Sequence, residues 1–374
     1  MTHRERILAA MRREPVDYLP CSIYFNSNLR VEGCDCSNPE GRLALAERLG
    51  TDPFLSFGLG HSAHSAVRTE TWTEEPKGSE YPLLWQAWDT PEGRLTMAVK
   101  VTPDAPFGNS ISWGDHSAGR IHKPLIESAE DVKKFAYVFQ PLSEADFVKS
   151  TESRKRALDL ADEYDVPVVC TYGTGLATLL FVLGAQNAVL LAVDAPDLFA
   201  ELADTIHLAE VHNIELAARA GAHILKRFGG YEQTNFYTPA IFEEIVLPKL
   251  KAETARAHEQ GLLIFYRVVT GMTPLLDRIA SAGFDGIEGG EPHLSNCSLE
   301  RWRDAFTGKA CSWTGVSTPA LLGGADPEAV RAEVRHAAEV FGKRGFILGV
   351  TNSIRNHFPW RNTLAMVEAW KNIR

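Results

Sequence analysis

Arg267 and Glu288 each interrupt a short apolar run, and they lie in one stretch, residues 262–291, LLIFYRVVTGMTPLLDRIASAGFDGIEGGE. Residues 262–265 are too few for a helix and read as a buried strand. Thr273-Pro274 then opens an amphipathic helix with Leu275, Leu276, Ile279 and Ala280 on one face. Proline costs little at a first helical position, where its missing N–H would have no partner anyway. Gly283 closes that helix and residues 284–287 form the next strand. Parallel strands need such a crossover, and α/β proteins place their chemistry at the carboxyl ends of those strands. Tyr266 and Arg267 follow the first strand and Glu288 follows the second. A planar guanidinium suits a carboxylate or phosphate. The structural alternative for Arg267 is an ion pair with Glu232 or Glu288.

The same rule, applied to each strand end, collects the other candidates. Tyr24 and Asn26 follow the first strand. His61, Ser62 and His64 follow the second, Tyr172 a third, and Tyr231 and Glu232 a fourth. His293, Trp313, Thr351 and Asn352 complete the rim. Glu232, His61 and Arg267 are the expected catalytic residues. Tyr24, Asn26, His64, Tyr172, Tyr231, Tyr266, Glu288, His293, Trp313 and Asn352 are the expected substrate contacts. His61 and His64 have the types and spacing for a general base or two metal ligands, or they are solvated loop histidines. Glu232 is an acid or base, or the cap of the next helix. Thr351 and Asn352 equally suit a turn.

The elements that must position these residues alternate regularly. Thr2-x-x-Glu5 is a capping box for a helix running to about Arg13. Strands are expected at 19–25, 54–57, 166–171, 223–228, 262–265, 284–287, 310–313 and 346–348, nearly all followed by helices. That is the count of a (β/α)8 barrel. No strand leads into a Gly-x-Gly-x-x-Gly turn, which counts against a dinucleotide-binding open sheet. Residues 67–73, 83–89 and 94–101 alternate polar and apolar between Pro and Gly turns, so a small antiparallel insertion is expected at about 65–120. The whole chain, 1–374, is read as one barrel domain.

With 374 residues, 45% hydrophobic, the chain can bury a large core. Its formal net charge of -10 disfavours a nucleic-acid partner. No apolar run is long enough for a membrane span, and the charged start MTHRERILAAMRREP lacks a signal-peptide core. A cytoplasmic location is expected. Six scattered cysteines, Cys34-x-Cys36 the only close pair, argue against disulfides.

Several segments in order carry a family resemblance: RERILAAMRREPVDYLP, GAQNAVLLAVDAPDLFAELADTI, YTPAIFEEIVLPKLK and FILGVTNSIRNHFPWRNTLAMVEAWK. Together they resemble the uroporphyrinogen decarboxylase superfamily over nearly the whole length. The resemblance implies a (β/α)8 barrel with its cleft at the carboxyl ends. Decarboxylases of the family carry two arginines after the first strand. Here YFNSNLR places Phe25 and Leu29 at those positions, with Arg30 one place out, and Asn352 stands where the family's late loop has histidine. Uroporphyrinogen turnover is therefore not expected. The corrinoid-linked methyltransferase branch holds zinc through a His-x-Cys pair and a late Cys. Those positions are Arg267, Val269 and Asn352 here, none of them a zinc ligand. No bound cofactor or metal is expected, with His61 and His64 the fallback ligands. The implied activity is methyl transfer or demethylation of a small organic substrate, with a corrinoid carried by a partner protein. Decarboxylation of a porphyrinogen-like or other carboxylated substrate is the alternative, and a non-catalytic binding protein the third. A homodimer is left open.

Overall fold

Thr2 caps the first helix as its spacing with Glu5 predicts. Its hydroxyl accepts from the Glu5 N–H at 3.2 Å, and the Glu5 carboxylate accepts from the Thr2 N–H at 2.9 Å, giving α1, His3–Met11. The computed structural model describes residues 1–103, 105 and 107–374. Asn38 caps α2, Pro39–Leu49, which ends at Gly50 with φ 69°. A left-handed residue there suits glycine, which has no Cβ to clash.

Next come β1, Leu55–Gly58, and an antiparallel sheet of β2, Arg68–Glu74, β3, Leu83–Thr90, β4, Gly93–Lys100, and the short β5, Ile121–Lys123. This is the expected insertion, although positions 104 and 106 within it lie outside the described residues. Trp88, Leu95, Met97 and Val99 bury its inner face against Val132, Phe135 and Val138 of α3, Ala129–Val138.

The main sheet continues with β6, Val168–Gly173, β7, Ile224–Phe228, β8, Leu263–Val268, β9, Gly286–Gly289, β10, Cys311–Val316, and β11, Phe346–Val350. With β1 they form seven parallel strands, each beside its predecessor in the main sheet. Helices cover the outer face, among them α4, Pro196–Arg219, and α5, Leu247–Glu259. Side chains of a strand alternate between its two faces. Val169, Ile224, Phe265, Cys311, Trp313 and Ile347 point inward and are plugged by Ile7, Ala10 and Met11 of α1. The inner core therefore sits at the amino ends of the strands and leaves the carboxyl ends free.

The eighth expected strand, residues 19–25, is a correction. Among the described residues its backbone pairs through isolated parallel bridges, Cys21 with Leu348 of β11 and Phe25 with Ile354 beyond that strand. Among the described residues no ladder joins it to β1. Pro20 and Pro53 flank this seam and neither can donate a ladder hydrogen bond. Asp52 bridges it instead: its N–H donates to Cys21 O at 2.7 Å, and its carboxylate accepts from Cys21 N at 3.1 Å. That carboxylate also accepts from Arg6 at 2.6 Å and Tyr18 at 3.0 Å and contacts His3 at 2.9 Å. It is fully buried. Asp52→Ala leaves Arg6 Nη1, the Tyr18 hydroxyl and the buried Cys21 N–H without their acceptor, although Asp17 still holds Arg6 at 2.6 Å, and urea unfolding is expected to show a loss of about 3 kcal/mol. A loss below about 1 kcal/mol, the level of an exposed pair, would show that the seam does not depend on Asp52.

Candidate functional site

Strand parity decides which predicted residues meet. On β8, Phe265 and Arg267 face inward while Tyr266 faces the helices; on β7, Lys226 faces inward while Arg227 faces the helices. In register, Arg267 lies opposite Phe228 on β7 and Glu288 on β9. The strands run two to three residues further than expected on apolar runs alone, so Tyr266, Arg267 and Glu288 sit inside strands rather than after them, and Trp313 sits mid-strand rather than at a strand end.

The inward residues open a cleft of about 930 Å³ at the carboxyl ends. Lys226 and Arg267 form its floor, and Tyr24, Phe228, Tyr231 and Phe236 are its aromatic walls. Asn26, Gln233, Asn235 and Asn352 supply amides, and Arg355, Asn356 and His357 stand exposed on the rim. Arg267 is buried and ion-paired to Glu288; its Nη2 donates to Asn352 Oδ1 at 3.4 Å. Its guanidinium and the Lys226 ammonium each lie 5.1 Å from the centre of the Tyr24 ring, within the range of cation–π attraction. Tyr24 in turn lies parallel to Phe54 with ring centres 6.4 Å apart. Tyr231 donates to Asp115 at 2.8 Å, and burial with that carboxylate pushes its phenol pKa up. Of the expected residues, Tyr24, Asn26, Tyr231, Arg267 and Asn352 line this cleft, with Glu288 directly beneath.

Lys226 was not among the expected residues. Burial, then the neighbouring Arg267, hold its pKa down to about 8. The signal was present in the sequence as a lysine inside the apolar strand ILKRF, two residues before a strand end and so on the cleft-facing parity.

Glu232, expected as the catalytic acid or base, lies elsewhere. It is 1% exposed and accepts from Arg227 at 2.9 Å, from Tyr266 OH at 2.6 Å and from Leu176 N at 2.9 Å. Arg227 also binds Glu253 at 2.8 Å and lies 3.6 Å from Glu210. Tyr172 OH donates to Glu253 at 2.8 Å, and His207 contacts it at 2.9 Å. One cation thus serves three carboxylates between the sheet and α4 and α5. Tyr172, Tyr266 and Glu232 belong to this outer cluster and not to the cleft. Gly175, at φ +49°, completes it, since a Cβ there would overlap Arg227 and Glu232. Burial pushes the Glu210 carboxyl up to about 7. Glu253 feels the same burial, but Arg227, His207 and Tyr172 outweigh it and hold its pKa low.

His61 also stands apart. Its ring stacks on Phe139 at 4.2 Å and Trp113 at 5.0 Å and lines a separate recess of about 240 Å³. Its edge is reached by solvent, while the protein packed around its faces pushes its pKa down. His64 is exposed, edge-on to Tyr137, with Nδ1 accepting from Ala66 N at 3.2 Å. His64 is not among the residues lining the recess that holds His61. His293 lies 3.6 Å from Glu333 on the outer surface. Trp313 is a core residue packed edge-on to Phe54 and tilted against Phe265. The three histidines are corrections, since their side chains lie away from the cleft, whereas Trp313 keeps the inward parity but lies in the core beneath the cleft, beside Glu288.

Among the described residues no group of three or more His, Cys, Asp or Glu is placed to hold a metal. All six cysteines are free and buried. Among the described residues no single helix is long and apolar enough to cross a membrane.

Residues 95–373 match the family model for uroporphyrinogen decarboxylase (URO-D). Among curated proteins, the uroporphyrinogen decarboxylase of Syntrophotalea carbinolica is 28% identical over 257 residues, 66% of this chain and 71% of that protein. That of Geobacter sulfurreducens is 24% identical over 275 residues, 72% and 76% of the two chains. Among solved structures, a methyltransferase from Methanosarcina mazei superposes with a TM-score of 0.61 at 18% identity, covering 100% of this chain and 99% of that one. That neighbour supports the barrel fold read from the strand order. Matched over about three quarters of its length, this chain is a divergent member of the uroporphyrinogen decarboxylase superfamily.

Proposed function

We propose that the cleft binds an oxygen-rich organic anion, and that the chain moves a methyl group between that molecule and a corrinoid carried by a partner protein. Lys226 and Arg267 on the cleft floor carry this proposal. Two cations beneath a ring of amides and aromatic walls match a compact anion with an apolar body. The Methanosarcina neighbour in fold is a methyltransferase, an activity of the proposed kind.

The cleft's volume suits a substrate, and its exposed rim of Arg355, Asn356 and His357 leaves a polar face for a docked protein. A corrinoid presented there would supply cobalt as methyl acceptor or donor. Arg267, fixed by Glu288 and Asn352, would orient the substrate anion. Lys226 would give or take the proton at the atom that loses or gains the methyl group. Tyr24, Phe228 and Phe236 would exclude water from that atom. The thiol-activating zinc of one family branch does not fit: Arg267, Val269 and Asn352 occupy the matching positions, and Arg267 is already committed to Glu288.

The test is anaerobic. Reduced Co(I) cobalamin, the protein and a panel of methylated organic acids are mixed, and formation of methyl-cobalt is followed by absorbance. Protein-dependent methylation with at least one acid is expected. Panel acids that bind without any methyl-cobalt forming would sink methyl transfer. A second reading, decarboxylation, is favoured by the Lys226 ammonium, unpaired among the described residues and beside Arg267, and by the two curated relatives, both uroporphyrinogen decarboxylases.

A further inference from the structure

We propose that Lys226 is a nucleophile that captures a 3-oxo acid as an imine. The inference rests on the second reading above, decarboxylation of an organic anion in this cleft, and names its covalent residue and substrate class.

Lys226 lies on a strand held on both flanks, between β6 and β8, so its stem is fixed. Its half-buried side chain points into the cleft. Among the described residues no hydrogen bond or ion pair holds its Nζ, which meets only the face of Tyr24. An ammonium left unpaired on a cleft floor is unusual, because a buried charge ordinarily acquires a partner. Three charged groups act on it: Arg267, Glu288 and Asp115. Glu288 is engaged by Arg267 and Asp115 by Tyr231. A neutral amine relieves both the desolvation and the repulsion from Arg267. A lysine so placed, desolvated and next to a second cation, is the arrangement that activates amines toward carbonyls. Arg267 and Asn352 lie on the same floor to receive the carboxylate.

The chemistry balances without any other reactant. The Nζ lone pair attacks the keto carbon, and its oxygen leaves as water after protonation. The protonated imine then accepts the electron pair of the bond to the carboxylate as carbon dioxide departs. The resulting enamine carbon takes a proton, and water hydrolyses the imine, releasing the ketone and restoring Lys226.

Acetoacetate with cyanoborohydride is the probe, and the readout is protein mass followed by peptide mapping. Reduced adduct is expected on Lys226 about tenfold faster than on the average surface lysine. Lys226→Met and Lys226→Arg should both remove it, the arginine variant keeping the charge in case the methionine variant misfolds. Arg267→Met should slow it. Adduct spread evenly over surface lysines, or unchanged in Lys226→Arg, overturns the proposal. Acetoacetate that binds by calorimetry and leaves no adduct overturns the imine while sparing the anion-binding cleft. Failure of acetoacetate, benzoate and the methylated acids all to bind overturns both.

Discussion

Arg227→Met is expected to cost more stability than either Asp52→Ala or Arg267→Met. The side chain is 2% exposed and is the cation shared by Glu210, Glu232 and Glu253, which are themselves 3%, 1% and 0% exposed. Breaking one buried pair by removing a partner costs about 3–5 kcal/mol, against a total stability of about 5–15 kcal/mol for an ordinary domain. The deficit should depend on pH, with a definite sign. Without Arg227, which lowers the pKa of both Glu210 and Glu253, these carboxylates gain protons more readily in the folded state, so the loss is largest at pH 8 and shrinks as the pH falls. The wild-type protein already shows the direction at Glu210. Its folded pKa is raised to about 7 from 4.5. Its contribution is therefore fully present below about 4.5 and is lost as the pH rises through about 7. Glu253, held low, contributes oppositely, losing stability as the pH falls. Urea unfolding at pH 5 and pH 8 measures the Arg227 deficit and the Glu210 slope, the Glu253 contribution falling below that window, and Glu210→Gln should flatten the wild-type slope between those values. A deficit in Arg227→Met that is equal at the two pH values would disprove the shared-cation account.

The second large effect separates structure from binding at Arg267. Arg267→Met leaves Glu288, 6% exposed, without its paired cation, and its Oε2 already lacks a hydrogen-bond partner. A stability loss of about 3 kcal/mol follows. If Arg267 also holds the substrate anion, affinity for benzoate or acetoacetate should fall about 100-fold, or about 3 kcal/mol. The double variant Arg267→Met/Glu288→Gln distinguishes the two losses. Most of the stability should return, since no charge is left buried, while the affinity stays low. Affinity that survives in the double variant would reduce Arg267 to a structural partner of Glu288.

Helix caps, the strand–helix alternation and the antiparallel insertion were legible in the sequence because they depend on neighbours within a few positions. The strand at 19–25 was not, because apolar composition says nothing about whether Pro20 and Pro53 interrupt pairing on one flank. Among site residues, place along the chain was legible and side-chain direction was not. Arg267 and Glu288 share a floor, as two residues of equal parity on adjacent strands should. Tyr266 and Glu232 were drawn to the cleft by their place in the chain, yet an odd step along β8 turns Tyr266 toward the helices, where Glu232 meets it at 2.6 Å. Counting parity back from Phe228 would have found Lys226 and excluded Arg227. No such count could show that three carboxylates from α4, α5 and a loop converge on Arg227, since their separations along the chain run from 5 to 26 residues.

A complete ring of strands has no end from which to come apart, and the seam beside residues 19–25 provides one. That segment leans on β11 through one bridge, from Cys21 to Leu348, on Ile354 beyond that strand through a second, and on Asp52, while β7 and β8 are gripped along their length from both sides. Partial opening costs least where the fewest bonds must break together. The two sides of the cleft therefore differ in kind. Tyr24 and Asn26 ride on the hinge-like side, whereas Lys226 and Arg267 stand on a fixed floor. Opening at the seam would move the aromatic wall over two cations held by paired strands, so the cleft would adjust to the body of a ligand without disturbing the groups that hold its charge.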